Sequence, residues 1–141
     1  MAHYKKILLV VDLSDDSRII GERAKAIADG ADITLLHVVE YVPVEPMGEA
    51  LLPTVQIESE LVARARTKLG QLAEHLGLRS SPQLIETGSI KAEIVRTAQR
   101  LACDLIVLGS RERHGLAILL NFTEDTILHA APCDVLAVRL Q

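Results

Sequence analysis

The chain has 141 residues, 49% of them apolar, with one Phe, two Tyr and no Trp, which fits one domain, residues 1–141, around an aliphatic core. A formal charge of −4 and the scarcity of stacking aromatics argue against a nucleic-acid surface and against an acidic membrane as partner. No signal peptide or membrane span is expected: the apolar run 7–11 is short and ends at Asp12. Cys103 and Cys133 lack CxxC spacing and suit a reducing cytoplasm better than redox work.

Five apolar β-type runs alternate with helical stretches. Residues 6–11 form the first. A helix is expected over 17–29, with Ile20, Ala24 and Ile27 on one face, Ser14 as N-cap, Asp15 and Asp16 in its first turn and Gly30 closing it. The second strand is 33–39. A Pro-containing connection, 40–54, precedes a long helix over about 56–76, where Ile57, Leu61, Ala65, Leu69, Leu72 and Leu76 recur at helical spacing and Gly77 ends the run. Residues 83–87 are the third strand and 90–101 the third helix, carrying Ile94, Val95, Ala98 and Leu101. Strand four is 104–108. A short helix is expected over about 123–130, broken by Pro132, and strand five is 135–139.

Continuous apolar strands separated by helices predict an α/β fold: an open parallel sheet covered on both faces, with right-handed crossovers. The connection 40–54 is longer than most loops, which suggests mobility or function. In such a sheet, ligands sit beyond the carboxyl ends of the strands. The segment Asp104-Leu-Ile-Val-Leu-Gly-Ser-Arg111 reads as a buried strand running into a glycine and then a loop, where backbone N–H groups and a helix N-terminus favour an anion.

Several stretches resemble the universal stress protein family. Lys5-Lys-Ile-Leu-Leu-Val-Val-Asp-Leu-Ser14 is similar to its opening strand and acidic turn, and Leu35-Leu-His-Val38 to its second strand. Gly88 and residues 104–111 resemble later signatures, and Ala131-Pro-Cys-Asp-Val-Leu-Ala-Val138 its closing strand, with Asp134 where the family has proline. The resemblance spans essentially the whole chain and rests on the order and spacing of these motifs. It implies a flavodoxin- or Rossmann-like sheet of order 3-2-1-4-5. The winding then reverses between strands one and four, whose carboxyl ends carry Asp12 and Gly109.

Members that bind ATP carry Gly-x-x-Gly, a nine-residue spacer, then Gly-Ser or Gly-Thr. The glycines admit backbone N–H groups to the phosphates, and the hydroxyl residue adds a bond at the helix start. Gly109 matches the first glycine and Glu112 stands at the second. Counting forward puts Phe122-Thr123 at the last pair; counting back from residues 131–133 puts Asn121-Phe122 there. Either register lacks the glycine, although Thr123 supplies a hydroxyl in one and Asn121 tolerates positive φ in the other. A carboxylate about 6 Å from a phosphate opposes it by roughly 1–3 kcal/mol. A forced left-handed residue costs about 1–2 kcal/mol. Together they weaken binding by about ten- to several-thousand-fold. Arg111 and Arg113 offset part of this by pairing with phosphates, and Gly115 relieves the backbone nearby.

The resemblance therefore implies an adenine-nucleotide pocket with a weakened hold on ATP. Asp12 would bond the adenine or ribose, and Val38 would line the base pocket with Val10 and Leu108 at the neighbouring strand ends. The competing reading makes Asp12 a turn residue that caps the first connection, and Ser110 and Arg111 solvated loop residues.

No catalytic constellation is visible. The histidines His3, His37, His75, His114 and His129 show no HxxxH spacing, so no metal site is expected. His37 reads as a satisfied core histidine, whereas His114 lies in the ligand loop. Ser14 and Ser110 lack a nucleophile elbow. A slow ATPase is the enzyme alternative, since phosphoryl transfer needs mostly positioning; a competent ATP or adenosine sensor is the ligand alternative. The reading adopted is a cytoplasmic stress-survival protein acting by binding. The family commonly dimerises through its last strand, which implies a homodimer through Val135, Leu136, Ala137 and Val138, with Val135, Leu136 and Val138 half exposed in a lone subunit.

Overall fold

A computed structural model describes residues 4–40, 51–110 and 130–140. Its five strands are β1 (Lys6–Val10), β2 (Asp32–Val39), β3 (Gln83–Thr87), β4 (Leu105–Ser110) and β5 (Asp134–Arg139). All neighbours are parallel, in the order β3-β2-β1-β4-β5. The helices are α1 (Ser17–Ala28), α2 (Leu51–His75) and α3 (Ile90–Arg100).

Strand alternation sends each central strand's side chains to two cores. Ile7 and Leu9 of β1, Ile33 and Leu35 of β2 and Leu105 and Val107 of β4 meet α1 and α2 on one face. Leu8, Val10, Leu36, Val38, Ile106 and Leu108 meet α3 on the other. Helices on both faces explain why the strands read as unbroken apolar runs.

Helix α1 buries Ile20, Gly21, Ala24 and Ala28 on one stripe. A Cβ at Gly21 would collide with Leu76, so the missing side chain lets the end of α2 close on α1. Helix α2 ends in a Schellman motif: Leu78 N–H donates to Ala73 O at 2.7 Å and Gly77 N–H to Glu74 O at 3.1 Å, with Gly77 at φ +70°. At the same, amino-terminal end of the sheet Asp104 fastens β1 to β4. Its carboxylate accepts the N–H groups of Lys5 and Lys6 at 2.8 and 3.0 Å, and its own N–H donates to Lys6 O at 2.9 Å.

Four expectations need correction. Helix α1 is capped at Asp16, whose side chain makes no capping bond, and Asp15 and Asp16 precede the helix rather than fill its first turn. Helix α2 starts at Leu51 and takes in Pro53, because the first helical N–H groups have no intrahelical partner to lose. Strand β4 runs on to Ser110, placing Gly109 inside the sheet opposite Val138. Val138 is 3% exposed and lies in the α1/α2 core with Leu140, so its side chain is not on the sheet edge. Val135 and Leu136 are half-buried and Ala137 is exposed. The helix expected over 123–130 lies outside the described residues except Ala130, which is helical. No helix among the described residues is long and apolar enough to cross a membrane.

Candidate functional site

The carboxyl ends of β1, β2 and β4 meet where the winding reverses. Val11 leaves the sheet with its N–H on Leu36 O at 3.0 Å and its carbonyl accepting from His37 Nδ1 at 2.8 Å. Asp12 follows, half-buried. One carboxylate oxygen, Oδ1, accepts three bonds: Ser14 N–H at 3.0 Å, Ser14 Oγ at 2.7 Å and Ser17 Oγ at 3.2 Å. Oδ2 takes none of the three. Burial pushes this carboxyl up, but the hydroxyl and N–H of Ser14 and the hydroxyl of Ser17 outweigh it and hold the group below its ordinary value.

Between Asp12 and Ser14 the chain passes through a left-handed residue, Leu13 at φ 65°. Leu is an uncommon occupant of that region. The bond from Ser14 N–H back to Asp12 Oδ1 closes an Asx turn around it. Ser14 O then accepts the N–H of Ser17 at 3.0 Å, leading into α1. Ser14 thus serves Asp12 and the backbone rather than capping the helix. Ser17, 1% exposed, is a buried polar residue satisfied by Asp12.

Val10, Val38 and Leu108 are buried together in the α3-side core, at 2%, 6% and 0% exposure, and lie at the strand ends beneath this turn. Gly109 packs from the opposite face: a Cβ there would lie 2.6 Å from Ile20 Cδ1 and 2.9 Å from Leu140 Cδ1. A side chain there would therefore force Ile20 and Leu140 to shift, whatever the following loop does. Arg111, Glu112, Arg113, His114, Gly115, Asn121, Phe122 and Thr123 lie outside the described residues. The structure thus brings Asp12 together with Val10, Val38, Leu108 and Gly109 around one set of strand ends.

Sequence reasoning missed the Ser14–Ser17 pair as ligands of Asp12, the left-handed Leu13 and the His37 contact. The spacing Asp12-x-Ser14-x-x-Ser17 is a signal for the first, since an Asx turn needs an acceptor two residues before its donor. His37 carried none, because its partner is a main-chain oxygen 26 residues away.

Other clefts lie elsewhere. One of about 520 Å³, at the opposite ends of β1 and β2, is lined by Lys6, Thr34, Ser81 and Cys103 among others. Another of about 380 Å³ flanks β5, where Tyr4 O–H donates to Asp134 at 2.9 Å. Burial pushes both cysteine thiols up, Cys133 to about 11, helped by Cys103, Asp134 and Asp104, so neither is a ready thiolate near neutral pH. Among the described residues no cluster of His, Cys, Asp or Glu could hold a metal ion.

The model of the universal stress protein family matches residues 3–139. Universal stress protein A homolog 1 of Coxiella burnetii is 38% identical over 142 residues, covering 99% of each chain. Homolog 2 of the same organism is 35% identical over 144 residues, covering 100% of this chain and 99% of its own. Among solved structures, universal stress protein UspA from Lactobacillus plantarum superposes with a TM-score of 0.79 at 28% identity, over 99% of this chain and 100% of that one. A universal stress protein in complex with cAMP matches with a TM-score of 0.63 at 19% identity, over 98% of each chain, a likeness of fold.

Proposed function

The chain belongs to the universal stress protein family, and from that premise we propose that it is a single-domain, cytoplasmic stress-survival protein that acts by binding an adenine nucleotide at the carboxyl ends of β1, β2 and β4. The observation that carries this reading is the Asp12 carboxylate. It is half-buried at the reversal of the sheet, ionised by its serine donors, and anchored through one oxygen while the other takes none of those bonds. A carboxylate held this way accepts from an adenine amino group or a ribose hydroxyl. A protein sharing the fold is solved in complex with cAMP, itself an adenine nucleotide.

The triphosphate is held weakly. Glu112 occupies the second glycine position of the phosphate motif, and neither register restores the later glycine. In this reading Arg111 and Arg113 pair with phosphates, with Gly115 nearby in sequence, and Asn121, Phe122 and Thr123 occupy the later positions of the phosphate motif. Calorimetric titration tests this. ATP binds wild-type protein with a dissociation constant of about 100 μM or weaker, and adenosine loses less than ATP relative to a glycine-complete site. Glu112→Gly tightens ATP by about tenfold, the removal of roughly 1–3 kcal/mol of repulsion. Submicromolar ATP binding by the wild type overturns the weakened-pocket reading, and no binding of ATP or adenosine overturns the pocket altogether.

The second reading, compatible with the first, is self-association. It is favoured by β5, which pairs with β4 alone among the described strands and keeps Val135, Leu136 and Ala137 at least partly exposed.

A further inference from the structure

We infer that His37 is a positioning residue for this site: by holding the carbonyl of Val11 it sets the β1–α1 turn and thereby aims the Asp12 carboxylate. The consequence for a ligand rests on the adenine-nucleotide reading; the geometry does not.

The Val11 carbonyl belongs to the peptide plane that joins Val11 to Asp12, so anchoring it fixes the direction in which Asp12 starts. The same residue is held on its other side by its N–H on Leu36 O at 3.0 Å. Consecutive residues of β2 therefore hold both the N–H and the carbonyl of Val11, one through main chain and one through the imidazole, with Nδ1 at 2.8 Å from the oxygen. Immediately beyond, Leu13 sits at φ 65°, a conformation that persists only where the surroundings over-determine it. The Asx turn of Asp12 holds Leu13 from the C-terminal side, and the His37 bond holds it from the N-terminal side.

A main-chain oxygen only accepts, so His37 presents Nδ1–H to it. Nδ1 lies close to the strand backbone, where an asparagine amide reaches and a leucine offers no donor. His37 precedes Val38, whose side chain points to the opposite face. One short stretch of β2 therefore supports the expected base pocket with Val38 and the carboxylate turn with His37.

The test compares His37→Leu and His37→Asn by hydrogen exchange at the Ser14 amide, which is bonded to Asp12 Oδ1, and at the Ile106 amide in the buried centre of β4. Losing one hydrogen bond predicts Ser14 exchange about five- to tenfold faster in His37→Leu, with Ile106 unchanged and His37→Asn within about twofold of wild type. Adenosine affinity, measured by calorimetry, falls by a similar factor in His37→Leu and recovers in His37→Asn. Unchanged Ser14 exchange in His37→Leu overturns the inference. So does acceleration shared equally by Ser14 and Ile106, which marks general loosening, or an Asn variant as impaired as the Leu variant. If wild-type protein binds no adenosine, the nucleotide reading falls, and Ser14 exchange alone decides whether His37 sets the turn.

Discussion

At the scale of single residues, the Asp12 carboxylate leaves room for both roles that the sequence presented as rivals, turn residue and ligand residue. Oδ1 does the turn's work, accepting from Ser14 twice and from Ser17 once, and the proposed ligand role would fall to Oδ2. Asp12→Ala removes the acceptor and strands the Ser17 hydroxyl, which is 1% exposed. An unsatisfied buried hydroxyl costs about 1–3 kcal/mol, so urea unfolding shows a loss of that order at an unchanged m-value. Asp12→Asn keeps an acceptor for the Asx turn and retains most of the stability while losing the charge. The pH dependence follows from the lowered carboxyl. A group whose pKa is lower folded than unfolded stabilises fully above the unfolded value, about 3.9 for Asp, and that stabilisation is lost as pH falls through the folded value. Wild-type stability therefore drops more steeply than that of Asp12→Asn as pH falls below about 4. Parallel acid profiles for the two proteins would remove Asp12 from this role.

At the scale of elements, all five strands were legible because each is an apolar run between turn residues, and Gly77 and Gly88 bound α2 and α3 as composition suggests. Two of the errors at element ends share one physical cause: glycine and proline were read as breakers where packing or position makes them compatible with the element. Pro53 falls within the first turn of α2, and Gly109 is extended strand. The candidate site was less legible than the fold. Asp12 was visible through its place after a buried strand, and Ser14 and Ser17 through their spacing from it, but His37, which bonds the preceding Val11 carbonyl, lies on another strand that local pattern does not connect to it. Gly109 now has two competing uses that stability separates. A Cβ there meets Ile20 and Leu140, both within the core, and overpacking a tight core typically costs about 1–3 kcal/mol. Gly109→Ala is therefore expected to lower the urea midpoint even without nucleotide. Unchanged stability with weakened ATP binding would return Gly109 to the phosphate-cradle role.

At the scale of the whole molecule, the strand order followed from the resemblance and not from periodicity, since alternating strands and helices fit several windings of an open sheet. Among the described strands the order leaves β3 and β5 as edges. Edge strands present unpaired N–H and C=O groups, and an apolar edge invites pairing with a second copy. The β5 edge fits this in part. Val138 and Leu140 are committed to the subunit's own core, so they stabilise the monomer and leave no side chain for a partner. What remains is the β5 backbone with half-buried Val135 and Leu136 and exposed Ala137. A two-fold contact of β5 with its copy would satisfy the backbone groups and bury these side chains, each Å² of apolar area contributing roughly 25 cal/mol. Light scattering at about 50 μM, a concentration suited to interfaces of ordinary size, is expected to return the mass of a dimer without added nucleotide. Ala137→Lys places one ammonium per subunit near the proposed axis, where it meets its own copy across the pair, and like charges directly opposed in a sheet are destabilising. Because Ala137 is exposed in the lone subunit, the variant keeps the wild-type fold by circular dichroism and shifts the mass toward that of a monomer. A wild type that stays monomeric at this concentration, or a Lys variant that dimerises equally well, would leave β5 as a solvated edge.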